Sequence, residues 1–351
     1  MNGMRFAFLC REKPNPTGKK VAIIGAGPAG LSAAGYLVCH GHEVHVYDKL
    51  PEPGGLMLFG IPEFRIPIYR VREGYKELEN VFEVKFYPNT KVSFGDEEEE
   101  GDDFVKNVVD FNELVQNYDA VLIATGTWKS SIPSIEGVEL EGVYPALGYL
   151  FRIKSAKLGH MDWDEVVPLE GKRVIVIGAG HTAVDAAMES LLLGAEKVYM
   201  SYRRTIKEAP AGAYEINLLQ KRGVKWLERT VPVRIIGENG KVRAIELQKC
   251  KLSEPDESGR RKPIPIEGSN FQIDVDYVIF AVGQRPTPPK GAEIAIDKRG
   301  TIIVDSRHMT SIEGVFAAGD VATGPSKVGR AVLDGLLAAE SMHHWLMEVR
   351  K

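Results

Sequence analysis

A chain of 351 residues is long enough for two domains of ordinary size, each with its own core. With 44% hydrophobic residues and a net charge of -4, it has no global basic field to recruit nucleic acid or an anionic membrane. No apolar run approaches the roughly 18 residues of a bilayer-spanning helix, and the amino-terminal Phe6-Ala7-Phe8-Leu9 is too short for a signal-peptide core. A cytoplasmic protein is the expectation.

Residues 1–18, with Pro14 and Pro16, read as a polar lead-in arm. The first strand, Val21–Ile24, runs into Gly25-Ala26-Gly27-Pro28-Ala29-Gly30, a G-x-G-x-x-G turn, and a helix pattern from Pro28 to about Cys39 follows, with Gly41 as its stop. This is the physical recipe for a dinucleotide pyrophosphate. Gly25 lets the chain turn sharply, Gly27 lets the backbone approach the phosphates, and Gly30 lets helix and strand pack closely. The helix start then offers its free N–H groups to the anion. A second strand, Glu43–Tyr47, ends at Asp48, an acid placed to accept hydrogen bonds from an adenosine ribose, with Lys49 beside it.

Pro51-Glu52-Pro53-Gly54-Gly55-Leu56 and Gly60-Ile61-Pro62-Glu63-Phe64-Arg65-Ile66-Pro67 hold too much Gly and Pro for a regular element and predict an ordered loop. A helix is expected over Ile68–Asn80. The acidic run from Asp96 to Asp103 reads as a solvated hairpin tip. Ala120–Ile123 is a buried-type strand that exits through the small-residue turn Ala124-Thr125-Gly126.

Residues 127–170, with Pro133, Pro145 and Pro168, look like a domain junction, after which the opening pattern returns. Arg173-Val174-Ile175-Val176-Ile177 enters Gly178-Ala179-Gly180-His181-Thr182-Ala183, with Ala183 at the third small position. A helix follows to about Leu193, then a strand around Val198–Ser201. Aligning Val44 with Val198 sets Tyr202 opposite Asp48, followed by Arg203 and Arg204, with Lys207 at the same basic corner. A carboxylate there would repel a ribose 2′-phosphate, whereas guanidinium groups hold it by bidentate hydrogen bonds. The second turn is therefore expected to favour NADP(H) over NAD(H). His181 reads as a helix-start hydrogen-bonding residue, and no residue is nominated as a catalytic acid or base.

Val231–Ile236 and Val242–Leu247 around Gly237-Glu238-Asn239-Gly240 predict a hairpin, and polar residues 253–262 another exposed tip. The strand Tyr277–Phe280 continues into Ala281-Val282-Gly283, an exit like that at Ala124-Thr125-Gly126. Gly314–Asp320 then leads to a terminal helix from about Ser326. Gly319 and Asp320 form a second polar contact point for the first cofactor. Cys10, Cys39 and Cys250 lack C-x-x-C spacing and predict neither a disulfide framework nor a dithiol centre. Three thiolates also cannot supply a [4Fe–4S] cluster with four, and no metal site is expected.

Read together, the two fingerprints, the Ala124-Thr125-Gly126 turn and the terminal Gly319-Asp320 resemble the two-dinucleotide-binding flavoproteins. Within them, Gly54-Gly55-Leu56, Gly60–Arg65, Tyr202-Arg203-Arg204 and Gly324-Pro325-Ser326 resemble the glutamate synthase small (beta) subunit family. The resemblance implies an α/β fold of two Rossmann-like, glutathione-reductase-like domains, the second inserted in the first. Its expected bounds are an arm at 1–18, a discontinuous FAD domain at 19–140 and 284–351, and an NADPH domain at 141–283. FAD would then lie along Gly25, Gly27, Pro28, Ala29, Gly30, Asp48, Lys49, Gly54, Gly55, Leu56, Arg65, Val92, Ala124, Thr125, Gly126, Gly319, Asp320, Ser326, Lys327 and Val328. NADPH would contact Gly178, Gly180, His181, Thr182, Ala183, Arg203, Arg204, Lys207, Val282 and Gly283.

The family also implies hydride transfer from NADPH to FAD and onward passage of electrons to an Fe–S or glutamate synthase large-subunit-like partner, or to a ferredoxin. It usually has Asn or Asp at the position of His181, and a cysteine-rich Fe–S domain in front of the first fold, where this sequence has about 20 residues. A stand-alone NAD(P)H:acceptor reductase and a non-catalytic nucleotide-binding flavoprotein subunit are the alternatives. The missing C-x-x-C disfavours a thioredoxin-reductase-like dithiol mechanism.

Overall fold

The computed structural model describes residues 4–93, 98–257, 259, 261–287 and 291–348. The chain divides into two compact units, one made of 1–129 with 284–351 and the other of 130–283. The first runs β1 (Lys20–Ile24), α1 (Pro28–Cys39), β2 (Glu43–Tyr47), α2 (Leu56–Phe59), α3 (Ile68–Asn80), β3 (Lys85–Tyr87), β4 (Thr90–Ser93), β5 (Asn107–Asp110), α4 (Phe111–Asn117) and β6 (Ala120–Ile123). After the crossing strand β7 (Lys129–Ser130), the second holds β8 (Val143–Pro145), α5 (Ala146–Leu158), β9 (Arg173–Ile177), α6 (His181–Leu192), β10 (Lys197–Tyr202), α7 (Ala213–Lys221), β11 (Lys225–Glu228), β12 (Thr230–Glu238), β13 (Lys241–Pro255), β14 (Arg261–Asp274) and β15 (Tyr277–Phe280). The chain returns through β16 (Gln284–Arg285) and completes the first unit with β17 (Val315–Ala317), α8 (Asp320–Thr323) and α9 (Val328–Glu348).

Each unit is built on a five-stranded parallel sheet, ordered β17-β6-β1-β2-β3 in the first and β11-β10-β9-β15-β8 in the second. The central strands are apolar without alternation because both of their faces are covered: Val21–Ile24 and Val174–Ile177 are all buried. The second unit adds an antiparallel sheet, β12-β13-β14. Its first hairpin turns on Asn239 and Gly240, both at positive φ, as a two-residue turn between Glu238 and Lys241 requires.

Several local expectations need correction. The loop over 51–67 contains one helical turn, α2. Residues 127–170 are more than a junction, since β8 joins the second sheet and α5 packs into that unit's core. Helix α5 is buried on nearly every side, so its sequence has no apolar stripe to announce it. The acidic segment is not a hairpin tip, because β4 and β5 pair in parallel. Asp96 and Glu97 lie outside the described residues, but Glu99 and Asp102 fold back onto Lys49 at 2.9 and 3.2 Å.

The arm also departs from the polar lead-in expected of it. Phe6 and Ala7 are buried. A Cβ on Gly35 of α1 would lie 2.1 Å from the Phe6 carbonyl oxygen, and one on Gly74 of α3 would lie 2.4 Å from that of Met4. Seating the arm on these two helix backbones brings Cys10 to the end of α1, where it forms a disulfide with Cys39. That pairing contradicts the sequence expectation. Nothing in the spacing announces it, because the tertiary contact of Phe6 and Ala7 creates it. The disulfide closes a loop with a sequence separation of 29 residues. Cys10→Ser is expected to destabilise the first unit by about 3.6 kcal/mol on the chain-entropy account. Thermal melts with and without reductant check this, and a melting temperature indifferent to both refutes it.

Candidate dinucleotide sites

In the first unit, β1 delivers the chain to Gly25, whose N–H donates to the Tyr47 carbonyl at 2.7 Å. Gly25 has φ +103°, and a Cβ there would lie 2.4 Å from the Ala124 carbonyl oxygen. At Gly30 an added Cβ would sit 1.9 Å from the Gly25 carbonyl oxygen. Between these two closed positions Gly27 is open, since a Cβ there meets nothing within 4 Å. Of the three glycines, the middle one thus borders free space while the two that flank it are tightly packed. The first helical hydrogen bond runs from Leu31 N–H to the Gly27 carbonyl, so the N–H groups of Ala29 and Gly30 precede the ladder. Such a cradle fits a pyrophosphate.

Other predicted residues converge on this turn. Gly54 N–H donates to the Ala26 carbonyl at 2.9 Å, and a Cβ on Gly55 would lie 2.8 Å from the Gly27 Cα, so Gly54-Gly55-Leu56 sits directly against the Gly25–Gly30 turn. The Asp48 carboxylate accepts from Ala26 N–H at 2.5 Å and Leu50 N–H at 2.8 Å. Burial pushes its carboxyl up against the opposing pull of those bonds. Each of its oxygens holds one backbone N–H, which leaves lone pairs for a ribose. The Thr125 carbonyl accepts from Trp128 Nε1 at 2.9 Å, fixing the Ala124-Thr125-Gly126 exit.

Asp320 is partly buried and accepts from Ser326 Oγ at 2.7 Å. Burial raises its carboxyl above the usual range. Lys327 is exposed and Val328 half-buried at the start of α9. Three of the expected FAD residues have other partners. Val92 turns its side chain into the core with Ala22 and Ile24. Lys49 pairs with Glu99 and Asp102 and lies 4.9 Å from the Trp128 ring centroid. Arg65 lies over its neighbour Phe64, in the segment that follows α2.

The second unit repeats the glycine turn, with Ala183 where the first has Gly30. Gly178 N–H donates to the Ser201 carbonyl at 2.9 Å, and its Cβ would lie 2.4 Å from the Ala281 carbonyl oxygen. Gly180 again borders open space. His181 starts α6, with Thr182 half-buried and Ala183 fully buried behind it. The sheets confirm the alignment of the copies: Val44 pairs with Val21, and Val198 with Val174. The position that holds Asp48 in one unit therefore holds Tyr202 in the other. Tyr202 turns away, its hydroxyl donating to the Glu208 carbonyl at 2.9 Å.

The two arginines after Tyr202 are presented differently. Arg203 is exposed, whereas Arg204 is half-buried with its Nε donating to the Arg261 carbonyl at 2.9 Å. That bond orients the guanidinium and leaves its terminal nitrogens for an anion. Lys207, Val282 and Gly283 are exposed, and Val282 and Gly283 directly follow Ala281, whose carbonyl faces Gly178. Sequence reasoning missed Arg261, because only the pairing of β13 with β14 brings its carbonyl to Arg204. It also missed Gly335, which stands inside α9 and whose Cβ would lie 2.3 Å from the Ala29 carbonyl oxygen. A glycine inside a helix was the available signal, since it costs stability there and needs a packing reason.

Two Rossmann-like units, one inserted in the other and each with its own glycine turn between strand and helix, define the class of two-dinucleotide-binding folds. The pyridine nucleotide-disulphide oxidoreductase family model matches residues 19–335, and the chain belongs to that family. It is 35% identical over 340 residues to the glutamate synthase [NADPH] small chain of Escherichia coli (strain K12), covering 94% of this chain and 69% of that one. It is also 38% identical over 334 residues to the NADP(+)-dependent formate dehydrogenase subunit beta of Moorella thermoacetica, where it covers 95% of itself but only 44% of the relative. The fold matches that of Mycobacterium tuberculosis FprA in complex with NADPH, with a TM-score of 0.78 at 21% identity, over 96% of this chain and 86% of that one. Among the described residues no helix is long and apolar enough to cross a membrane.

Proposed function

We propose that the chain is an NADPH-dependent FAD oxidoreductase of the glutamate synthase small-subunit type, with FAD on the 1–129/284–351 unit and NADPH on the 130–283 unit. One observation carries this reading: two structurally equivalent phosphate turns diverge at the one position where the cofactors differ, Asp48 against Tyr202-Arg203-Arg204. Bound FAD would supply a hydride acceptor that releases electrons one or two at a time. The protein's part is position and polarity. Gly27 and Gly180 would admit the two pyrophosphates, Asp48 the adenosine ribose of FAD, and Arg203 with Arg204 the 2′-phosphate of NADPH.

The electrons are proposed to leave to an Fe–S-bearing partner chain. In support, the relatives named above are a small chain and a beta subunit. Anaerobic addition of NADPH to the FAD-loaded protein should bleach the flavin absorbance with one equivalent of NADPH per flavin. A flavin that stays oxidised with both NADPH and NADH overturns the hydride reading. Purification from native cells with a stoichiometric iron-bearing chain supports the partner, and recovery of the fully active chain alone refutes it.

A further inference from the structure

Helix α9 touches both halves of the proposed FAD site within one turn. Gly335 packs against the first turn of α1 so closely that its Cβ would lie 2.3 Å from the Ala29 carbonyl oxygen. The preceding residue, Asp334, reaches the other half, where its Oδ2 accepts from Gly319 N–H at 2.6 Å. Its Oδ1 accepts from His308 Nε2 at 3.1 Å, and both side chains are mostly buried. Gly319 sits at φ +76°, a conformation open to glycine, and a Cβ there would lie 2.9 Å from the Ala29 Cβ, so no other residue fits this bend. The bend at Gly319 sets the direction of Asp320, the next residue and the first of α8.

We infer that Asp334 is a positioning residue for FAD: it holds the Gly319–Asp320 bend in place through the Gly319 N–H, with His308 fixing its second oxygen. The inference rests on the reading of Gly319 and Asp320 as FAD contacts and names the residue on which they depend. The carboxylate suits the task, because a charged acceptor makes a stronger bond to a backbone N–H than a neutral one. Burial pushes the Asp334 carboxyl up, but the bonds from His308 and Gly319 outweigh it and hold the group below the usual range. Asp334 therefore stays ionised and accepting through neutral pH.

The test is FAD titration of the apoprotein, followed by flavin fluorescence, alongside the apoprotein's melting temperature and its affinity for NADP+. Asp334→Ala should weaken FAD by about 30-fold, the scale of a lost hydrogen bond to a charged group. NADP+ affinity should hold. Asp334→Asn keeps an oxygen for Gly319 N–H and should recover FAD affinity to within about fivefold. Undiminished FAD affinity in Asp334→Ala overturns the inference, and so does an Asn variant as weak as the Ala variant. Should Asp334→Ala not fold, Asp334→Ser, too short to reach Gly319, replaces it. Failure of both to fold in saturating FAD shows a purely structural residue and also overturns it. A wild-type protein that binds no FAD, or an Asp320→Asn variant that binds it normally, fails the underlying site reading instead.

Discussion

The double variant Arg203→Ala/Arg204→Ala should lose at least about 100-fold in kcat/KM for NADPH while changing by less than about threefold for NADH. Each guanidinium removed from a phosphate forfeits a charge-assisted contact of about 1.5–3 kcal/mol, and every 1.4 kcal/mol is tenfold. NADH has no 2′-phosphate and so does not feel the loss. The two arginines should not be equivalent. Arg204 is oriented by the bond from its Nε to the Arg261 carbonyl, whereas Arg203 is exposed. Arg204→Lys keeps the charge but cannot both make that bond and offer a fork, so it should fall close to Arg204→Ala. Initial rates with both coenzymes decide the matter. Equal losses for NADPH and NADH would remove the 2′-phosphate assignment.

Gly27→Ala should abolish high-affinity FAD binding, by about 100-fold or more, while leaving the apoprotein's melting temperature within about two degrees of wild type. The backbone at Gly27, φ -74° and ψ -173°, is open to alanine, and its new methyl group would meet no protein atom within 4 Å. The methyl group fills only the space into which a pyrophosphate would come. Gly30→Ala should behave in the opposite way. Its Cβ would lie 1.9 Å from the Gly25 carbonyl oxygen, so the turn itself must open, at a cost of roughly 1–3 kcal/mol in apoprotein stability. Calorimetry of the apoproteins with FAD titration separates the two effects. A Gly27→Ala protein that binds FAD like wild type would show that this turn does not carry the pyrophosphate.

Much of the first unit was legible because its residues each face a strict local demand. The bounds of α1, β2 and α3 follow from proline, glycine and apolar spacing, and they recur in the structure as Pro28–Cys39, Glu43–Tyr47 and Ile68–Asn80. Helix α5 was not legible, because burial on nearly all sides erases the periodicity that marks a helix. Glu99 and Asp102 resemble any acidic surface run in sequence, and only the fold shows that they close on Lys49.

The sequence alone determined the two glycine turns and the difference in charge beside them, since closely spaced glycines after a strand and an acid that gives way to arginines are local facts. Only the tertiary structure decided what stands behind them. The Cys10–Cys39 bridge, the carbonyl of Arg261 beneath Arg204, and Asp334 on the Gly319 N–H each join residues far apart in the chain. Such contacts arise from how sheets pair and helices pack, and spacing along the chain carries no trace of them.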